Sequence, residues 1–214
     1  MNSIVAAIPA AILGWAFGWL SAWATDRLQP PEEAKAIRGR SPLVRDPLVQ
    51  SSLAVIWAAI PFVVSGDVVR WLEAGVLSVP LVQIAVTDLR TRYVYTVVAL
   101  VGLGVGLLLG WHYHGVAWYW SVIGGLGGAV AFLALYGIGR LVYRGGEPMA
   151  RGYITIASTV GAGAAACATQ ALVWGVLFSG VLALGFLVVR RSRHVYMPYG
   201  PGLCLGGLAA LVLC

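Results

Sequence analysis

The chain has 214 residues, 60% hydrophobic and 10% charged, with a formal net charge of +6 and a mean hydropathy of +0.86. A water-soluble domain carries about 25% charged residues. This composition therefore excludes a globular domain that hides its apolar surface from water, and it makes the lipid bilayer the expected solvent.

Eight apolar segments follow one another, at 4–25, 50–65, 72–88, 94–112, 116–139, 154–170, 171–189 and 200–214. The first, within MNSIVAAIPAAILGWAFGWLSAW, has no basic leading region, so it reads as a retained span and not a removed signal peptide. The second and the last are short for a span that needs about 20 residues. Almost no loop separates the sixth from the seventh. The expected fold class is all-α: a single polytopic membrane domain over 1–214, with about eight transmembrane helices and the N-terminus outside.

Charge placement sets that orientation. With the N-terminus outward, the stretches 26–49, 89–93, 140–153 and 190–199 face the cytoplasm, and they hold thirteen of the fourteen Lys and Arg residues. Only Arg70 falls on the other side. The asymmetry is what the positive-inside rule demands, and it ties the net charge to topology, with no nucleic-acid partner implied. The cytoplasmic stretch 26–49, DRLQPPEEAKAIRGRSPLVRDPLV, is long and polar but too short for a domain of its own.

Few residues outside these loops suggest chemistry. Cys167, Cys204 and Cys214 lie in apolar stretches without a CxxC pair, so they read as small buried hydrophobes, with neither a disulfide framework nor a zinc site. His112 and His114 are spaced i, i+2, which does not share a helix face, and no carboxylate is adjacent. They read as interfacial, and no metal or cofactor is implied. His194 follows RRSR and reads as part of a solvated basic turn. The glycines of GLGVGLLLG and GGLGGAV lie inside apolar spans, where small residues let helices approach closely.

Asp88 stands at the cytoplasmic end of the third segment, followed by Arg90 and Arg92. One reading is a helix-end charge paired with an Arg. The other rests on a resemblance. DLRTRYVY, residues 88–95, resembles the D-x-R-x-x-x-I-P-N signature of the bacterial prepilin peptidases (type IV leader peptidases). Asp88 and Arg90 match, Val94 replaces Ile, and Tyr95 and Thr96 replace Pro-Asn. Three further stretches resemble family motifs in the same order: GWLSAWATDRLQP (18–30), IRGRSPLVRDPLVQ (37–50) and MPYGPGLCLGGLAAL (197–211).

The resemblance implies a polytopic aspartic endopeptidase that removes the leader of prepilins at the cytoplasmic face. Its two aspartates divide acid and base roles, because two close carboxylates do not both ionise easily. In this chain the stretch that should carry the second aspartate is EPMARGYITIASTVG, residues 147–161. Tyr153 stands at the aspartate position, Ala150 at the first glycine and Thr155 at the lysine. With an ordinary pKa of about 10, a tyrosine is a poor general base at neutral pH. Glu147 is the candidate substitute acid, although its register favours a structural pairing with an Arg. The 26–49 stretch also lacks the cysteine-rich insert linked to methyl transfer.

The expected function is therefore a catalytically silent, prepilin-peptidase-like subunit of the bacterial inner membrane. Its partners would be the lipid bilayer and a pilin-like transmembrane helix or a larger membrane complex. The alternative is an active peptidase using Asp88 with another acid.

Overall fold

A computed structural model of the chain describes residues 3–28, 47–64, 68–91, 93–142, 149–190 and 199–214. Glu147, Arg92 and His194 lie outside the described residues, as does most of the 26–49 stretch. Among the described residues there are eight α-helices and no strand: α1 (Ser3–Leu28), α2 (Pro47–Val63), α3 (Val68–Thr91), α4 (Thr96–Tyr113), α5 (Tyr119–Val142), α6 (Gly152–Ala164), α7 (Ala168–Arg190) and α8 (Gly200–Leu213). An all-helical chain satisfies its backbone polar groups internally, as a bilayer requires.

Among the described residues five helical runs are long and apolar enough to cross a membrane: Ser3–Leu28, Val68–Arg90, Thr96–Tyr113, Tyr119–Leu141 and the nearly continuous Gly152–Gly185. α2 and α8 are shorter, at 17 and 14 residues. Large hydrophobic side chains cover the outside of the bundle, including Ile123, Leu126, Val130 and Leu133 on α5 and Val181 and Leu184 on α7.

α3 is the central post. In its apolar window 61% of residues are buried, against 17% in α1. It packs on α8, α4 and α2, while α6 packs on α5, α4, α8 and α7. Glycine lets these helices touch backbone to backbone. At the α5–α6 crossing a Cβ on Gly124 would overlap the Gly161 carbonyl, and one on Gly161 would overlap the Gly124 carbonyl.

The sixth segment departs from the expected helix over 154–170. α6 stops at Ala164, a 3-10 turn spans Ala165–Cys167, and α7 follows. Ala165 has φ 47° and ψ −115°, a left-handed conformation that strains a residue with a Cβ. The alanine-rich sequence favours helix here, so tertiary packing imposes the break. Gly110 of α4 and Gly124 of α5 both press on carbonyls between Gly161 and Ala165.

Candidate functional site

The two residues that the register sets opposite each other meet in space. Asp88 is three residues from the end of α3, and Tyr153 is the second residue of α6. Both are fully buried, at 0% exposure. The Tyr153 hydroxyl lies 3.3 Å from Asp88 Oδ1 and 3.2 Å from Oδ2, so it donates to the carboxylate as a whole. α3 and α6 pack chiefly through α4 and α8, and the length of a tyrosine side chain bridges the gap between them.

A second donor comes from the backbone. The Gly200 amide, first in α8, donates to Asp88 Oδ2 at 2.9 Å. A Cβ at position 200 would stand 2.6 Å from that oxygen and 3.1 Å from Asp88 Cγ, so only glycine allows the approach. Helix N-termini leave amides unpaired and carry a partial positive charge. Here the start of α8 gives an amide and the start of α6 a phenol to one carboxylate. The Tyr153 hydroxyl in turn accepts from the Tyr199 amide at 3.3 Å, and the two tyrosine rings meet edge to face at 5.7 Å. Ser179 Oγ of α7 holds the Tyr199 carbonyl at 3.0 Å. Four helices thus fix the surroundings of one acid.

Further along α3 a polar ladder extends away from Asp88. Thr87 Oγ1 donates back to Gln83 O at 2.8 Å, and Gln83 Nε2 donates to Thr25 Oγ1 of α1 at 2.7 Å. All three side chains are buried. This ladder carries no titratable group, and its role is to pin α1 on α3.

At the other end of the bundle the structure corrects two expectations. His112 does have a carboxylate neighbour: its Nδ1 lies 2.5 Å from Glu73 Oε1, supplied by α3. The Tyr113 hydroxyl donates to Leu211 O, and the Arg70 guanidinium lies 5.3 Å from the Tyr113 ring centre. Of the cysteines, only Cys204 is a buried hydrophobe; Cys167 is half-buried and Cys214 exposed. Among the described residues no group of three or more His, Cys, Asp and Glu side chains could hold a metal ion.

The chemical capacity of the Asp88 site follows from its donors. One carboxylate faces a phenol and the Gly200 backbone amide. General acid–base hydrolysis needs a second group that accepts a proton near neutral pH, and a phenol does not. The site holds one carboxyl group in a fully enclosed place, met by fixed donors. The Gly200 and Tyr199 amides were not singled out from sequence, although Pro201 just inside α8 is a helix-start signal.

Fold and site together define an all-helical protein with several membrane-competent helices and a buried, clamped carboxylate. None of the family models, curated proteins or solved structures compared with the chain matches it.

Proposed function

We infer that the chain is a divergent relative of the prepilin peptidases that binds a partner helix and does not cut it. The observation that carries this reading is the fully buried Asp88 with the Tyr153 hydroxyl against both its oxygens. A hydroxyl in that place supplies a hydrogen bond where the peptidase chemistry would need a proton-accepting carboxylate. The four motifs in family order support the kinship. The helix ends around Asp88 carry Arg27, Arg90, Arg140 and Arg151, with Arg70 at the far end. That supports an N-out orientation with the Asp88 end in the bacterial cytoplasm. In this reading all eight helices cross or enter the bacterial inner membrane, α2 and α8 included. The partner is a pilin-like transmembrane helix or a larger membrane assembly that contains one.

The test is co-expression with a prepilin in cells lacking their own prepilin peptidase. Expected are full-length precursor on a gel and recovery of that precursor with the protein in mild detergent. Processed pilin that disappears with Asp88→Asn would overturn silence. Unprocessed precursor that never co-purifies would overturn binding. Tyr153→Asp then asks whether a second carboxylate restores cleavage on this scaffold.

A further inference from the structure

The end of the bundle opposite Asp88 carries an apolar cleft that the Asp88 site does not use. α2 and α8 each pack on α3, and between their far halves a cleft of about 190 Å³ opens. Its floor includes Ala74 and Ser78 of α3, and its walls Ala59 and Val63 of α2 and Leu208 and Leu211 of α8. Ser78 is the single polar side chain among the described residues that line it, and its hydroxyl donates to Gly75 O at 2.6 Å. The cleft therefore suits an apolar guest, since a polar one would lose its hydrogen bonds there. A helix, about 10–12 Å across with its side chains, is too wide for it. A cavity of about 150 Å³ takes a guest the size of benzene, so this cleft fits a slender hydrocarbon chain.

Charged groups stand over one end of the cleft. Arg70, Ala74 and Ser78 follow at i, i+4 and i+8, so they share one face of α3. The Arg70 guanidinium lies 5.3 Å from the Tyr113 ring centre, and the Tyr113 hydroxyl donates to the carbonyl of Leu211, which walls the cleft. On the other rim Trp71 Nε1 donates to Val64 O at 3.0 Å, fixing the end of α2 to α3. Tryptophan and tyrosine favour the head-group layer of a bilayer. Glu73, one turn on from Arg70, meets His112 Nδ1 through Oε1, and a carboxylate has about four acceptor positions. One cation and one carboxylate thus lie a turn apart above an apolar slot.

We propose that the cleft holds one acyl chain of a phospholipid whose head carries both a phosphate and an ammonium group, with the phosphate on Arg70 and the ammonium on Glu73. A guanidinium matches phosphate oxygens, and an ammonium donates through its N–H groups to a carboxylate. A head with a phosphate and no amine leaves Glu73 facing a like charge. The lipid sits in the leaflet at the end of the bundle away from Asp88, whichever way the chain is oriented. It braces α2 against α8, the helix whose first amide holds Asp88. The site is separate from Asp88, so it stands or falls apart from the function proposed above.

The test uses the full chain, stripped of lipid in mild detergent and titrated with phosphatidylethanolamine or with phosphatidylglycerol of the same acyl chains. Bound lipid is counted by native mass spectrometry. Expected is one tightly held phosphatidylethanolamine per chain, bound about tenfold more tightly than phosphatidylglycerol. Arg70→Gln should weaken the binding of both lipids about tenfold, the loss of one charge-assisted hydrogen bond. Glu73→Gln should erase the preference between them. Ala59→Phe fills the cleft from an exposed position on its wall and should abolish the tight site. An unchanged denaturation midpoint in lipid-free micelles shows that this variant folds; if it does not fold, Arg70→Gln decides. Wild-type binding in Arg70→Gln or in a folded Ala59→Phe would overturn the proposal. So would several equally weak lipids per chain, the mark of an unspecific shell. Equal affinity of the wild type for the two lipids would overturn the role given to Glu73 and, with it, the head group.

Discussion

Asp88 and Glu73 lie on the same helix, fifteen residues and about 22 Å apart along its axis, and the bundle treats them in opposite ways. Asp88 is fully enclosed and takes its hydrogen bonds from a phenol and a helix-start amide. The Glu73 side chain is 14% exposed and pairs with a His112 side chain that is 57% exposed. A carboxylate deep in a bundle must be met by donors fixed by the fold, because a buried polar group left unpaired is costly. A carboxylate at a helix end can rely on a mobile partner and on water. Asp88 therefore belongs to the architecture as much as to any chemistry, while Glu73 pairs with a partner that is more than half exposed.

Substitutions should separate the two ends by size of effect. Asp88→Ala removes the acceptor shared by Gly200 N–H and the Tyr153 hydroxyl and strands both donors. It should lower stability by about 3 kcal/mol, read as a shifted denaturation midpoint in detergent micelles. Next comes Gly200→Ala. Its Cβ would stand 2.6 Å from Asp88 Oδ2, and either the carboxylate or the start of α8 must move. Overpacking of this kind should cost about 2 kcal/mol in the same titration. A Gly200→Ala variant as stable as wild type would mean the approach is looser than the structure has it.

At the other end, Glu73→Gln should cost less than about 1 kcal/mol, and the difference should shrink further in high salt. A loss as large as that of Asp88→Ala would erase the contrast.

The smallest effect expected concerns pH. His114 follows α4, and neither of its ring nitrogens has a hydrogen-bond partner among the described residues. Burial pushes its imidazole below the usual histidine range. The Gly163 carbonyl opposes that shift from outside hydrogen-bond geometry, and Arg70 reinforces it. Its folded pKa is thus below its unfolded one, so the unfolded chain binds the proton first. The stability His114 contributes is present above about pH 6.5 and is lost as pH falls through its folded value. His114→Gln should flatten the acid limb of a stability–pH curve by tenths of a kcal/mol. The His112–Glu73 pair remains in both proteins and cancels in the comparison. An unchanged acid limb would count against the shift.

Much of the architecture is legible in the chain because apolar length is a strong signal: seven of the eight apolar segments contain a helix within four residues of their expected bounds, and the helix of the sixth ends six residues early. The Asp88–Tyr153 contact was accessible only through motif register, since 65 residues separate the pair. What escaped is tertiary. The break at Ala165 sits in an alanine run that favours helix, and it is imposed by glycines of α4 and α5 packed against it. Glu73 meets His112 across 39 residues, which no local spacing rule can report. The Gly200 amide becomes a donor to Asp88 only once α8 is docked on α3.

The central claim is that Asp88 and Tyr153 act on each other as a buried carboxylate and its clamp. A double-mutant cycle with Asp88→Ala and Tyr153→Phe measures that interaction directly. A coupling of about 1–2 kcal/mol is expected, the loss in the double mutant being smaller than the sum of the two single losses. Additive losses, within about 0.3 kcal/mol, would contradict the clamp and reopen Asp88 as a free acid.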